Sequence, residues 1–430
     1  MDQPLPSCPE IEKSILAEFM ASKTAWSKYG YLVMPEFFYT TLHRKMFEFM
    51  METNITDMRL IAEKFPEQTC DVVSICESYF TASQLEPQIA LLKDRYERRK
   101  VIEAAYKAME SARDFDVPAA EVVETALLGM ASTVAYDSRP EHVRDITPRL
   151  LEDLSRGDGG AGLKSGLVDF DEVTGGLCPG EMVILAARPS MGKTTMALQI
   201  ARHNSIEKKI PILIFSIETS KEVMAGRMLS SEANTSLDQA MRGNKEPIRR
   251  MYEHAGQLVD SEIYIDDTAA ITMPQLESKT DSYVKNHGVK LVIVDHVGLV
   301  KAIGTKGRSR HEDLSEISKA LKAVGKRHNI PMLLICQLSR EVEKRKPPIP
   351  ILSDLRESGS WEEDADKVVF LYREEYYNRK TDRKGICDVI IAKNKNGRTG
   401  HREVLAELNT MNFRNLVKDE QTARGWQDEY

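Results

Sequence analysis

The chain has 430 residues, 42% of them hydrophobic and 29% charged, which suits a soluble globular protein of two or three domains and excludes a disordered one. Its formal net charge of −7 excludes a molecule coated in basic surface for nucleic acid. A locally basic channel stays open, because only the charge near a bound strand matters.

The first 30 residues lack a basic start and a long apolar core, so no signal peptide is expected. Residues 1–110 read as a helical domain: EIEKSILAEFM places Ile11, Ile15 and Phe19 at four-residue spacing, and LHRKMFEFMME repeats the pattern with Leu42, Met46 and Phe49. No catalytic motif appears there, which points to interaction or assembly. Residues 111–160 read as a linker region. Within it AAEVVETALLGMASTVAY (119–136) carries Val123, Leu127, Met130 and Val134 on one helical face, and RGDGGAGLKSG (156–166) makes a flexible boundary. From 161 to 430 short β-branched runs alternate with helical patterns. EMVILAA (181–187), PILIFSIE (211–218), KLVIVDH (290–296) and PMLLICQ (331–337) read as buried strands, and Leu314, Ile317, Leu321 and Val324 share the face of an intervening helix. Such alternation predicts an α/β domain with a mostly parallel sheet covered on both sides.

The longest apolar runs, of about ten residues as in LVIVDHVGLV, fall far short of the roughly 20 needed to span a bilayer. Six scattered cysteines without a C-x-x-C pair argue against a zinc ribbon or a disulfide scaffold and fit a reducing, cytoplasmic compartment.

The stretch AARPSMGKTT (186–195) follows a strand and opens a helix, the context that marks a phosphate-binding loop. The loop Ser190, Met191, Gly192, Lys193, Thr194, Thr195 is the expected cradle for ATP. Gly192 lets backbone approach the phosphates, the Lys193 ammonium reaches the β- and γ-phosphates, and the Thr194 hydroxyl holds Mg²⁺. Ala187 replaces the usual first glycine, and a strained alanine there costs on the order of 1 kcal/mol. Asp295 ends an apolar strand where a carboxylate holds the Mg²⁺ shell, and Glu218 ends another as a candidate base that orients water. Gln337, at a third strand end, is placed to sense the γ-phosphate.

ARPSMGKTT, FSIE, LVIVD, CQLSR and SDLRESGSWEEDAD together resemble the replicative DNA helicases of the DnaB type, with their RecA-like P-loop motor, over about residues 165–400. The N-terminal part is similar, more weakly, to the helical collar of that family, and 119–136 to its subunit-docking linker helix. The resemblance implies a homohexameric ring around single-stranded DNA that moves 5′ to 3′ at a replication fork, with ATP and Mg²⁺ as cofactors and a primase and a helicase loader as partners. It assigns Arg227 to the nucleotide pocket and Arg356, Glu357 and Gly359 to the loop that grips the DNA backbone. Ser360 with Glu363 reads as a capping box. Among the basic stretches 301–311 and 339–348, the first is the favoured DNA loop, with Lys306, Arg308 and Arg310 on phosphates.

The segment ICDVIIAKNKNGRTGHREVLAEL (386–408) reads as a hairpin turning at Asn396-Gly397, with Lys393 and Lys395 facing one way. In the resembling family this tip reaches the neighbour's γ-phosphate with Lys-x-Arg; here the second position is Lys395. Either Lys395 acts as a point charge, or Arg398 substitutes, or hydrolysis is slower. His296 and Gly298 also depart from the pattern. Rival readings are a RecA-like filament and a non-translocating ATP switch.

Overall fold

In a computed structural model of the chain, the described residues are 5–77, 85–116, 142–155, 162–302 and 309–416, with scattered positions between 118 and 129; among them, the side chains of 356–359 are outside the description. The expectations for Leu127, Met130, Val134, Lys306 and Arg308 fall outside the described residues. Two compact units divide the chain, Met1–Asp137 and Ser138–Tyr430.

The first unit is helical. Pro9 opens the helix Pro9–Ala21, where its missing N–H costs nothing, and Glu10 and Glu12 fill the first turn against the helix dipole. The four-residue spacing puts Ile15 and Phe19 into a core with Met46, Phe47 and Met50 from the helix Thr41–Thr53, all fully buried. Phe19 and Trp26 pack edge to face at 5.4 Å, and Trp26 and Phe47 at 5.7 Å. A carboxylate is also buried in this unit. Glu12 accepts hydrogen bonds from the backbone N–H of Tyr39 at 2.7 Å and of Thr40 at 3.2 Å, and its Oε2 pairs with His43 Nδ1 at 2.7 Å.

The second unit holds a nine-stranded sheet in the order β3-β2-β4-β5-β1-β6-β7-β8-β9. Its strands are β1 (Met182–Ala187), β2 (Ile212–Ser216), β3 (Ile263–Asp266), β4 (Leu291–Asp295), β5 (Met332–Gln337), β6 (Lys367–Tyr372), β7 (Ile386–Asn394), β8 (Gly400–Glu407) and β9 (Asn412–Asn415). The six from β3 to β6 along the sheet are parallel, and β7 to β9 return antiparallel. One face buries Val183, Leu185, Ile214 and Ile293 against the helix Lys193–Arg202; the other buries Ile184, Val292 and Leu334 against Ile317, Leu321 and Val324. The sheet is thus covered on both sides, as the continuous apolar runs require.

Elements absent from the sequence reading include two strands and a helix. β3 is a half-buried edge strand, and β6 begins with a charged residue, Lys367, buried through its ion pair with Glu181 at 2.5 Å. The helix Val143–Ser155 contains Pro148, which breaks the usual helical signal, and it exposes Val143, Ile146, Leu150 and Leu151. The five cysteines whose side chains are described are free thiols, and no described helix is long and apolar enough to cross a membrane.

Burial raises the pKa of Glu12, but the hydrogen bonds from His43, Tyr39 and Thr40 outweigh it and the carboxyl sits below the usual glutamate range. A depressed carboxylate contributes stability that is present above its unfolded pKa and lost as pH falls through the folded one. Glu12→Gln is expected to cost roughly 1–3 kcal/mol, the scale of buried groups left without their partners. Amide exchange over residues 9–77 should quicken in the variant at neutral pH, and in the wild type only at pH below the usual glutamate range.

Candidate functional site

β1 delivers the chain to the phosphate loop at its carboxyl end. Ala187 is the last strand residue, extended and paired in register with Gln337 of β5. It is not among the positive-φ residues, so the expected strain at Ala187 is absent: the first-glycine position lies inside the strand, where alanine is at ease. The left-handed positions are Ser190, at φ 65°, and Gly192, at φ 103°. Gly192 has a second constraint, because a Cβ there would stand 2.8 Å from Phe413 Cζ and 3.0 Å from Leu408 Cδ2. After it the helix Lys193–Arg202 begins, its free N–H groups forming an anion site. Met191 and Thr195 are buried, and Thr195 Oγ1 lies 3.6 Å from Met411 Sδ.

Lys193, Thr194, Asp295, Glu218 and Arg227 come together at this edge. Thr194 Oγ1 donates to Asp295 Oδ2 at 2.7 Å, and Lys193 Nζ donates to the carbonyls of Ala187 at 3.1 Å and Arg188 at 3.2 Å. Asp295 closes β4 in register with Ser216. β2 ends at Ser216, so Glu218 sits not on the strand, as the sequence suggests, but on the exposed bend beyond it. Burial raises the Asp295 pKa, opposed by the Thr194 hydrogen bond and by the charges of Lys193 and Arg227, and reinforced by Glu218. Burial likewise lowers the Lys193 pKa, against the pull of Asp295 and Glu218. Desolvated groups of both signs facing one space make a site that gains from a bound, charged ligand. Arg227 acts from the helix Lys221–Glu232, and Gln337 stands exposed at the end of β5.

Lys393 and Lys395 lie elsewhere. β7 runs back, so Lys393 pairs with Val368 and the Lys395 amide bonds the Asp366 carbonyl at 2.9 Å, beside the start of β6. That edge adjoins Met182, the opposite end of β1 from the phosphate loop, about 15 Å away at 3.3 Å per strand residue. Both ammonium groups turn to the carboxyl end of the helix Gly359–Asp364: Lys393 donates to the Glu362 and Glu363 carbonyls, and Lys395 reaches the Glu363 carbonyl at 3.4 Å and Asp366 Oδ1 at 3.5 Å. The turn is five residues long, 395–399, rather than two, and exposes Arg398 at its tip.

Of the expected DNA contacts, Arg310 opens the helix Arg310–His328 and donates to the Gly298 carbonyl at 2.9 Å. Residues 352–358, with Arg356 and Glu357, form a 3-10 segment that runs into the helix starting at Gly359. Ser360 is already inside that helix and its buried Oγ has no partner, so the capping box with Glu363 is not formed. In the stretch 339–348, Arg345 is bound to Asp354 and Lys344 to Glu341. The sequence reading missed Arg188 and Arg373. Arg188 donates to Glu343 at 2.8 Å and to the Leu338 carbonyl at 2.9 Å, and Arg373 to the Ser190 carbonyl at 3.4 Å. Arg188 follows β1 directly and was open to notice; nothing local marks Arg373.

Comparison with known proteins places these features in a family. The family model of the DnaB-like helicase C terminal domain matches residues 162–415. The replicative DNA helicase DnaB of Buchnera aphidicola subsp. Baizongia pistaciae is 32% identical over 433 residues, covering 92% of this chain and 91% of its own. A solved structure of a DnaB-like replicative helicase and its interactions with primase is 25% identical with a TM-score of 0.69, covering 95% of this chain and all of its own. A second solved structure, of an ATPase domain, is 32% identical with a TM-score of 0.61, covering 65% of this chain and all of its own.

Gly192→Ala is expected to destabilise the second unit by about 1–3 kcal/mol, the range for a held left-handed residue. Adding Phe413→Ala removes the clash but not the φ strain, so denaturant midpoints should show partial rescue only.

Proposed function

The chain belongs to the DnaB-type replicative DNA helicases, ATP-dependent motors, and on that premise we propose that it works as a homohexameric ring that moves 5′ to 3′ on single-stranded DNA. The observation that carries this reading is the separation of its charges. Lys193, Thr194 and Asp295 share one sheet edge, while Lys393 and Lys395 lie at the other, so the two lysines reach a bound nucleotide only on an adjacent copy. Residues 1–110 are then the collar, 111–160 the linker and 161–430 the motor. Within the linker, Val143–Ser155, with Val143, Ile146, Leu150 and Leu151 exposed, is a second candidate docking helix beside 119–136.

The geometry at the carboxyl end of β1 supports an ATP site. The loop from Ser190 to Thr195 holds the phosphates, Arg227 lines the pocket, and Lys193 neutralises the β- and γ-phosphates. Thr194 and Asp295 supply hard oxygens 2.7 Å apart, and the described residues contain no cluster of three or more metal-ligating side chains. That donor set fits Mg²⁺, which binds through one or two protein oxygens together with substrate phosphates and water. Thr194 and Asp295 would hold the ion, which would supply positive charge to offset that of the phosphates. Glu218, free on its bend, orients the attacking water, and Gln337 senses the γ-phosphate. Lys393 and Lys395 of the adjacent copy stabilise the charge that develops on the phosphoryl group. Lysine lacks the planar fork of arginine, so hydrolysis is slower than an arginine would allow. The 352–360 segment, with Arg356, Glu357 and Gly359, and the 301–311 loop, with Lys306, Arg308 and Arg310, track DNA phosphates with little sequence preference. A primase and a loader complete the assembly.

On labelled forks, unwinding should require a 5′ tail, ATP and Mg²⁺, and should vanish in Lys193→Ala. Lys193→Ala and Lys395→Ala subunits, each inactive alone, should regain ATPase when mixed, since mixed rings contain interfaces with both residues intact. Mixtures that stay inactive would rule out action in trans. Lys395→Arg should hydrolyse faster than wild type.

A further inference from the structure

Between the phosphate loop and the 352–358 segment stand two ion pairs, joined through the backbone of residues 343–345, that the proposed chemistry leaves unused. Arg188, the first residue after β1, donates Nε–H to Glu343 at 2.8 Å and Nη1–H to the Leu338 carbonyl at 2.9 Å. Glu343 sits on the 3-10 turn Arg340–Lys344, just past Gln337. The next residue but one, Arg345, forks onto Asp354: Nη1 donates to Oδ1 at 2.9 Å and Nη2 to the other oxygen. Asp354 is 3% exposed, accepts the Ile351 N–H at 2.8 Å, and offers its carbonyl to Ser339 N–H at 3.1 Å. It lies in the segment that leads into the helix Gly359–Asp364, whose end holds Lys393.

The near end of this chain answers to nucleotide. Lys193 holds the Arg188 carbonyl with protons that a phosphate also attracts, so occupancy shifts the backbone that carries the Arg188 guanidinium. The first pair is not a stability device. The Glu343 side chain is 41% exposed, and pairs of that kind contribute little to folding. It does hold orientation, because Arg188 is nearly buried and has its remaining contact on the same segment. The second pair is a fork of fixed plane onto the buried Asp354, which passes rotation of the 340–344 turn to residue 354.

We propose that Glu343 and Arg345 are positioning residues that couple DNA binding to ATP hydrolysis, through Arg188 at the phosphate loop and Asp354 at the root of the DNA-contacting segment. The inference rests on the reading of 352–360 as a DNA loop. Neither residue touches nucleotide or DNA. Each holds a residue of a segment that does.

The test uses the full chain, oligo(dT) as the DNA, and three variants. Glu343→Gln breaks the first pair, Arg345→Lys keeps the charge but loses the fork, and Glu341→Gln removes a neighbouring carboxylate that bonds only Lys344. ATPase rates are read with and without saturating oligo(dT), together with the KM for ATP and the oligo(dT) affinity. For Glu343→Gln and Arg345→Lys the DNA-free rate, KM and DNA affinity should hold within about two-fold. The stimulation by DNA should fall roughly five-fold or more, the scale of a coupling free energy between sites. Glu341→Gln should match wild type. Stimulation that persists in both variants overturns the proposal, as does a parallel fall in DNA-free and DNA-stimulated rates, which marks a structural role. If wild type itself shows no stimulation, the DNA-loop reading has failed and the proposal falls with it; intact wild-type stimulation with intact variants sinks the proposal alone.

Discussion

The direction of β7 is the constraint on which the arrangement depends. Six parallel strands send the carboxyl ends of β1, β4 and β5 to one edge, where Ala187 pairs with Gln337 and Asp295 with Ile335, two residues earlier on β5. In such a sheet the ligand site belongs at that edge. β7 pairs antiparallel to β6 and carries Lys393 and Lys395 to the far edge. The phosphate cradle and the two lysines therefore lie at opposite edges of the sheet. In the proposed function a second copy supplies these lysines, because strand polarity keeps them from the cradle of their own chain.

Electrostatics reinforces that division. At the cradle, burial raises the Asp295 pKa and lowers that of Lys193, so the charged form of each gains from a partner of opposite sign. At the far edge, burial and the neighbouring Lys395 lower the Lys393 pKa, and its ammonium is stabilised by the carbonyl end of a helix. Both places hold charge with provisional partners. A polyphosphate supplies what each lacks, negative charge for the lysines and a bound cation for Asp295.

The sequence disclosed most of this, in proportion to how local each signal was. Strands with continuous apolar runs were legible because burial on both faces leaves no other composition, and the phosphate loop because its residues are adjacent. β6 was hidden because its first residue, Lys367, is a charge buried by pairing with Glu181, a residue 186 positions away. The helix Val143–Ser155 was hidden by Pro148. Ala187 looked anomalous only because the first position of the motif was given the backbone of a loop; as the last residue of β1, within the expected strand 181–187, it carries no left-handed strain. Ser360 misled in the opposite way: the spacing to Glu363 fits a cap, but the helix already starts at Gly359. Arg373 could not be found at all, since its contact with Ser190 bridges 183 residues.

The segments that differ from the family pattern or lie outside the core have one property in common. Lys395 and Arg398 are held by polar contacts rather than by the two apolar layers, and the 352–358 segment adds the Asp354 fork to the apolar packing of Leu352 and Leu355. A packed core has one arrangement and resists graded change. An ammonium group resting on carbonyls can exchange them for phosphate at small cost, since the exchange is of one set of acceptors for another. A motor needs both kinds of part, and the chain separates them: hydrophobic burial fixes where the nucleotide sits, and exchangeable hydrogen bonds decide what moves when it changes. The lysine at position 395 suits the second kind better than an arginine would. Its compact, flexible ammonium leaves the Asp366 and Glu363 acceptors without breaking a planar fork, so in the proposed trans role a lower stabilisation of the transferring phosphoryl group comes with an easier release from the resting contact.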